Sequence, residues 1–140
     1  MFVLLATLDG YLNSTGPTFS RPCGVSNSNY YYQAIRVTVS ISGMYSFTSK
    51  SSMDTYGCLY ETMFYPSSPY TNLLVCDDNT GDDQPFLINY NFENTRIYIL
   101  VVTTSLSSVT GRYSIIATGL DSVSMTEFPV ISSKLMNIFI

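Results

Sequence analysis

Short runs of alternating apolar and polar residues, separated by Gly, Pro, Ser and Asn, set the pattern of this chain. A period of two is the mark of a strand with one face buried. The first run covers residues 2–8. It gives way to a polar turn region, Asp9 to Gly16, and then to a loop rich in Pro, Ser and Asn from Pro17 to Ser28. Tyr30 to Val39 predicts a long strand with Tyr31, Gln33, Ile35, Val37 and Val39 on the core side. Ser42 and Gly43 break it. Met44 to Thr48 alternates again with Tyr45 and Phe47 on one face, and the spacing across Ser40 to Gly43 suits a hairpin.

Met53 to Tyr60 predicts the next strand, with Met53, Thr55, Gly57 and Leu59 on one face and Asp54, Tyr56, Cys58 and Tyr60 on the other. Its expected partner is the short apolar run Asn72 to Cys76. Gln84 to Phe92 places Phe86, Ile88, Tyr90 and Phe92 together, with Pro85 at the strand start or on a sheet edge. Arg96 to Thr104 is the most hydrophobic run and belongs in the middle of a sheet, and Arg112 to Thr118 follows, closed by Gly119. About eight strands at regular spacing, with no helical periodicity, predict an all-β, antiparallel sandwich or barrel. Residues 1–119 form the expected domain and residues 120–140 an extension. In that extension Val123 to Met125 can continue the pairing before Pro129, and the apolar end Leu135 to Ile140 reads as a closing edge strand or as the start of another unit.

Composition sharpens this picture. At 140 residues the chain suits one domain. Only 11% of residues are charged, and twelve are Tyr, which favours strands over long helices and fits a domain working outside the cell. The net charge of −4 argues against nucleic acid as a partner. Met1 to Ala6 is too short for the apolar part of a signal peptide, no run is long enough to cross a membrane, and the chain reads as cut from something longer. Asn13-Ser14-Thr15 is a glycosylation sequon that matters in a secreted protein.

The chain has no His, which removes Ser-His and Cys-His nucleophile pairs and disfavours a zinc site. Four of its ten acidic residues, Asp77, Asp78, Asp82 and Asp83, crowd one turn. That grouping is not the pair flanking a cleft that a glycosidase needs, so no enzyme activity is expected. Calcium takes several oxygen ligands on a sharply turning loop. Asp77, Asp78, Asn79, Asp82 and Asp83 are candidates, with Gly81 permitting the turn and Asp54 adding a further oxygen. The alternative is a solvated turn whose Asp and Asn side chains bond their own backbone. Cys58 and Cys76 lie on consecutive strands and are a disulfide candidate if face and register agree, and otherwise are two buried thiols. Tyr56, Tyr60, Tyr65 and Tyr70 are candidates for an outward aromatic platform suited to sugars or extended protein, or else they fill half-buried sheet faces.

Gly43-Met44-Tyr45-Ser46-Phe47, Asp54 to Tyr60, Asp77-Asp78-Asn79-Thr80-Gly81, Tyr98 to Val102 and Gly111-Arg112-Tyr113-Ser114-Ile115 occur in the order and spacing of a known pattern. Over roughly residues 30–118 the chain resembles the bacterial pre-peptidase C-terminal domain family. It is similar in wording to a repeat found in tandem within large extracellular proteins of some small invertebrates. Gly57 and Cys58 stand where that family has bulkier residues. The resemblance implies a jelly-roll-like β-sandwich, secreted, non-catalytic and attached to other domains. Three functions follow as expectations. One is an extracellular interaction or adhesion module for a protein or glycan ligand, stiffened by calcium. Another is a carbohydrate- or matrix-binding accessory domain of a secreted hydrolase. The last is a structural spacer covered at both ends by neighbouring domains.

Overall fold

The computed structural model describes residues 4–25, 28–77 and 85–128. They form β1 (Leu4–Leu12), β2 (Thr18–Phe19), β3 (Tyr30–Tyr31), β4 (Gln33–Val39), β5 (Gly43–Lys50), β6 (Thr55–Glu61), β7 (Leu73–Asp77), β8 (Leu87–Phe92), β9 (Tyr98–Thr104), β10 (Gly111–Gly119) and β11 (Val123–Glu127). One sheet has the order β1-β10-β5-β8 and the other β11-β4-β9-β6-β7, while β2 and β3 make a separate two-stranded ribbon. All pairings are antiparallel. Among the eight principal strands β1, β4–β10, every connection except β6 to β7 crosses between the sheets. That interleaving is the jelly-roll arrangement of two Greek keys.

The predicted strands sit where alternation places them, with some corrections. β1 runs on to Leu12, through residues read as a polar turn, because a sandwich has a wet outer face. Thr7, Asp9 and Tyr11 point outward, Leu12 is buried, and the Ser114 hydroxyl donates to Asp9 Oδ1 at 2.6 Å. The run from Tyr30 to Val39 is two strands, because Tyr30 and Tyr31 pair with Thr18 and Phe19 in the ribbon. Ser40 to Gly43 does not close a hairpin, because β4 and β5 belong to different sheets. Period two identifies which side chains face the core, and Ile35, Val37, Tyr45 and Phe47 all do. It cannot say that they reach that core from opposite sheets.

The main core lies between the sheets and includes Ile35, Val37, Phe47, Leu59, Phe86, Ile88, Phe92, Leu100, Val102 and Ile115. β9 is the middle strand of its sheet and is buried at every position, as its hydrophobicity predicts. Pro85 stands ahead of β8, itself a sheet edge, so no ladder bond is lost. Gly57 is explained by the ring of Phe86. A Cβ on Gly57 would meet that ring at 2.7 Å, so the missing side chain is the seat of a buried aromatic. The chain past Gly119 re-enters the five-stranded sheet. β11 pairs with β4 from Val123↔Val39 to Glu127↔Ile35, and the Phe128 N–H donates to the Ala34 carbonyl at 2.8 Å. Leu135 to Ile140 lie outside the described residues.

Candidate functional site

The five-stranded sheet is covered on its outer face as well. Tyr32, Ala34, Tyr56, Cys58, Tyr60, Ile99 and Val101 form a second core there, under Phe19, Tyr30 and Phe64. Phe64 comes from the connection between β6 and β7, and its ring meets Phe19, Tyr32 and Tyr60 at centroid distances of 5.5, 5.2 and 4.8 Å. The outward platform expected from Tyr56 and Tyr60 is therefore corrected. Both are buried, Tyr60 completely, because the chain's own segments occupy the face that alternation marks as outward. Tyr65 and Tyr70 remain exposed.

The phenols of this layer hold the covering loops. The Tyr60 hydroxyl donates to the Pro69 carbonyl at 2.6 Å and the Tyr30 oxygen accepts from the Val25 N–H at 2.9 Å, while the exposed Tyr70 joins one loop to another by accepting from the Cys23 N–H at 2.8 Å. Loop backbone groups need partners, and Tyr supplies one at the end of an apolar ring. Burial pushes the phenol pKa of Tyr32, Tyr56 and Tyr60 upward. Arg21 lies over Tyr56, with its guanidinium carbon 3.8 Å from the ring centre, and donates to the carbonyls of Pro22 and Ser105 at 2.9 and 3.1 Å.

The thiols meet beneath this cover. Cys58 and Cys76 are directly opposite in the β6–β7 ladder, and both pack in the outer core as free thiols. Burial holds the Cys58 thiol well above its usual range. Cys76 is only half-buried, and its hydrogen bond with Cys58 lowers its pKa, with further help from the Arg21 charge and the Tyr56 phenol. Cys23 is exposed in the left-handed region, at φ 58°.

At the acidic end, Asp77 closes β7 and its Oδ2 accepts from the Leu87 N–H at 2.8 Å, tying the two sheets together. Asp54 precedes β6, and its carbonyl accepts from the Ser105 N–H at 2.9 Å. Asp78, Asn79, Asp82 and Asp83 lie outside the described residues. No group of three or more acidic, thiol or imidazole side chains suited to a metal ion occurs among the described residues.

A cleft of about 330 Å³ opens at the end of the sandwich where β1 and β11 finish and β4 begins. Tyr11, Asn13, Tyr31, Gln33, Glu127 and Phe128 line it. Tyr11 is half exposed. The Tyr113 hydroxyl donates to Gln33 Oε1 and so orients that amide, while its ring occupies the space above Gly10, where a Cβ would come within 2.2 Å. The Tyr31 hydroxyl donates to the Ser14 carbonyl at 3.2 Å. At the rim, the exposed Asn13 uses its side-chain oxygen to accept from the Thr15 N–H at 3.0 Å and the Thr15 hydroxyl at 2.7 Å. Sequence reasoning singled out Asn13 but missed Tyr11, Gln33, Glu127 and Arg21. The first three are scattered along the chain and converge only through the crossing of sheets, while Arg21 stands apart over Tyr56.

Searches against protein-family models and among curated proteins found no match to this chain.

Proposed function

We propose that this chain is a non-catalytic, adhesion-type binding module that works outside the cell, with the cleft at the ends of β1 and β11 as its ligand site. One observation carries this reading. Among the described residues, Tyr11 and Tyr31 converge with the Gln33 amide and the Glu127 carboxylate on a single concavity. An apolar wall with a few convergent polar groups is the usual form of a binding site. Aromatic faces beside an amide and a carboxylate suit a polyhydroxylated chain, so the module also fits the accessory-domain role beside a secreted hydrolase. The resemblance to pre-peptidase C-terminal domains is in keeping with either role.

The test is an NMR-monitored titration with soluble oligosaccharides and matrix-derived peptides, on the native protein and on Tyr11→Ala and Gln33→Ala. Saturable shifts confined to the cleft, lost in both variants, support the reading. A titration in which neither class of compound moves cleft resonances overturns it.

Calcium belongs to this proposal through Asp54, Asp77, Asp78, Asn79, Asp82 and Asp83. A ligand that binds only the folded state raises the unfolding midpoint, by about 2.7 kcal/mol of stability at a hundredfold excess over its dissociation constant. Asp77 already braces Leu87, so its replacement costs stability without any metal. The informative quantity is the difference between calcium and chelator in the native protein and in Asp78→Asn.

The spacer reading has its own support. Leu106, 70% exposed, sits in the connection after β9 at one end of the sandwich, and Ile41 and Leu120 are exposed in connections at the other. Apolar side chains at both ends suit stacking between neighbouring units. Two copies joined in tandem would then unfold as one cooperative unit, whereas independent modules would unfold at the single-copy midpoint.

A further inference from the structure

The sheet pairing brings two thiols into register, a juxtaposition that the ligand cleft does not explain. Cys58 and Cys76 are Cα partners across β6 and β7, and both belong to the outer face of the sheet. Same face and matching register are the two conditions for a cross-strand bridge. Opposed residues in an antiparallel pair have Cβ atoms about 4.5–5.5 Å apart, and a disulfide needs roughly 3.5–4.5 Å. The strands must therefore close by a small amount. β7 can do this because it is a sheet edge with five residues, and the ladder shifts register just beyond the pair, between Leu59 and Tyr60. β6, held by β9 on its other side, is the fixed partner.

The two sulfurs are not equivalent. Cys58 is fully buried, whereas Cys76 has partial access to solvent. The Arg21 guanidinium, stacked on Tyr56, places a positive charge in the same neighbourhood. A thiol with partial access, a nearby cation and a buried partner has the layout of an attacking and a resolving cysteine.

We propose that Cys58 and Cys76 are a redox pair that closes to a cross-strand disulfide, with Cys76 reacting first and a small-molecule disulfide, such as oxidised glutathione, as the oxidant. Cys76 gives up its proton and its sulfur attacks one sulfur of the oxidant. The oxidant's S–S bond breaks, and the departing thiolate takes up a proton. The Cys58 thiol then loses its proton and attacks the Cys76 sulfur of the mixed disulfide. The new S–S bond forms as the mixed one breaks, and a second small thiol leaves. Two electrons pass from the cysteine pair to the oxidant, which ends as two thiols. The bridge ties the edge strand β7 to the middle of the sheet beneath the aromatic cover. Cys23, exposed on its loop, takes no part.

The experiment equilibrates the full chain with excess oxidised glutathione, then alkylates the remaining thiols and maps peptides by mass spectrometry without reduction. The expected result is a peptide joining residue 58 to residue 76, with the third cysteine, Cys23, recovered as the alkylated or glutathionylated site. Cys58→Ala should trap glutathione on Cys76 in folded protein, and Cys76→Ala should leave Cys58 unmodified until denaturant is added. Recovery of Cys58 and Cys76 both alkylated, or a crosslink through Cys23, overturns the proposal. The peptide map of the native chain decides the question even if a variant fails to fold.

Discussion

The two cores on either side of the five-stranded sheet are built differently. Between the sheets, Phe and aliphatic side chains from both layers meet, and the phenols of Tyr45 and Tyr98 bond the Ile41 carbonyl and the Glu93 N–H in the short connections after β4 and β8. On the outer face the packing partners are not a sheet but a two-residue-stranded ribbon and a loop. Sheets satisfy their own backbone, and loops do not. The outer core is accordingly rich in tyrosine, and the hydroxyls of Tyr60 and Tyr30 end on loop backbone at Pro69 and Val25. The composition of a core thus follows from what covers it.

The comparison breaks most sharply at Phe47. It is fully buried between the sheets against Phe92, and Phe47→Ala should cost about 3–5 kcal/mol of global stability, measured by urea denaturation. Phe64→Ala should cost about 2–3 kcal/mol, less than a ring between two sheets because the loop can partly collapse into the space. Native-state hydrogen exchange would show the difference. The amides near residues 18–25, 28–32 and 62–72 should open first in Phe64→Ala, with β9 and β10 still protected, because cover segments open as local units. If β9 and β10 lose protection to the same extent, the two cores are one cooperative body.

Alkali should separate the regions next. Burial raises the Tyr32, Tyr56 and Tyr60 phenols above their ordinary value of 10.0, and of the clearly shifted tyrosines only Tyr113 sits in the main core. Above that ordinary value the unfolded chain has lost protons that the folded one keeps. The stability these phenols hold is therefore complete below pH 10 and falls as pH rises toward the folded values. Phenolate absorbance and exchange at the covering loops should rise together, ahead of global unfolding. The smallest effect belongs to Tyr60→Phe at neutral pH. Removing the bond to Pro69 should cost about 1 kcal/mol and leave the ring packing intact, as the denaturation midpoint would report.

Alternation made the main core legible, because it was written into single strands. Ile35, Val37 and Val39 were readable together, as were Phe86, Ile88 and Phe92, and β9 was recognisable as central from its unbroken hydrophobicity. The same period assigned Tyr56 and Tyr60 to an outward face, which is geometrically right. It could not reveal that Phe19 and Phe64 return from distant segments to cover that face. Arg21 reads as an ordinary loop cation until Tyr56 lies beneath it. The cleft was illegible for a related reason. Tyr11, Gln33 and Glu127 carry no shared spacing and are joined only by the order of strands in space. The thiol pair lay between these cases. Consecutive strands made Cys58 and Cys76 neighbours on paper, and the ladder supplied the register.

The strand directions also set how the molecule carries load. β1 begins beside Gly119, at the end of the sandwich where Leu5 and Val123 lie together, and β11 finishes beside Ala34, at the opposite end near Tyr11 and Asn13. A pull applied at Leu4 and Phe128 runs along the strands rather than across them. It shears the nine-residue β1 ladder against β10 and the β11 ladder against β4, stressing many hydrogen bonds at once. Peeling would break them singly. Under tension this domain is arranged as a rivet, and its resistance is set by the rate of unfolding rather than by its equilibrium stability.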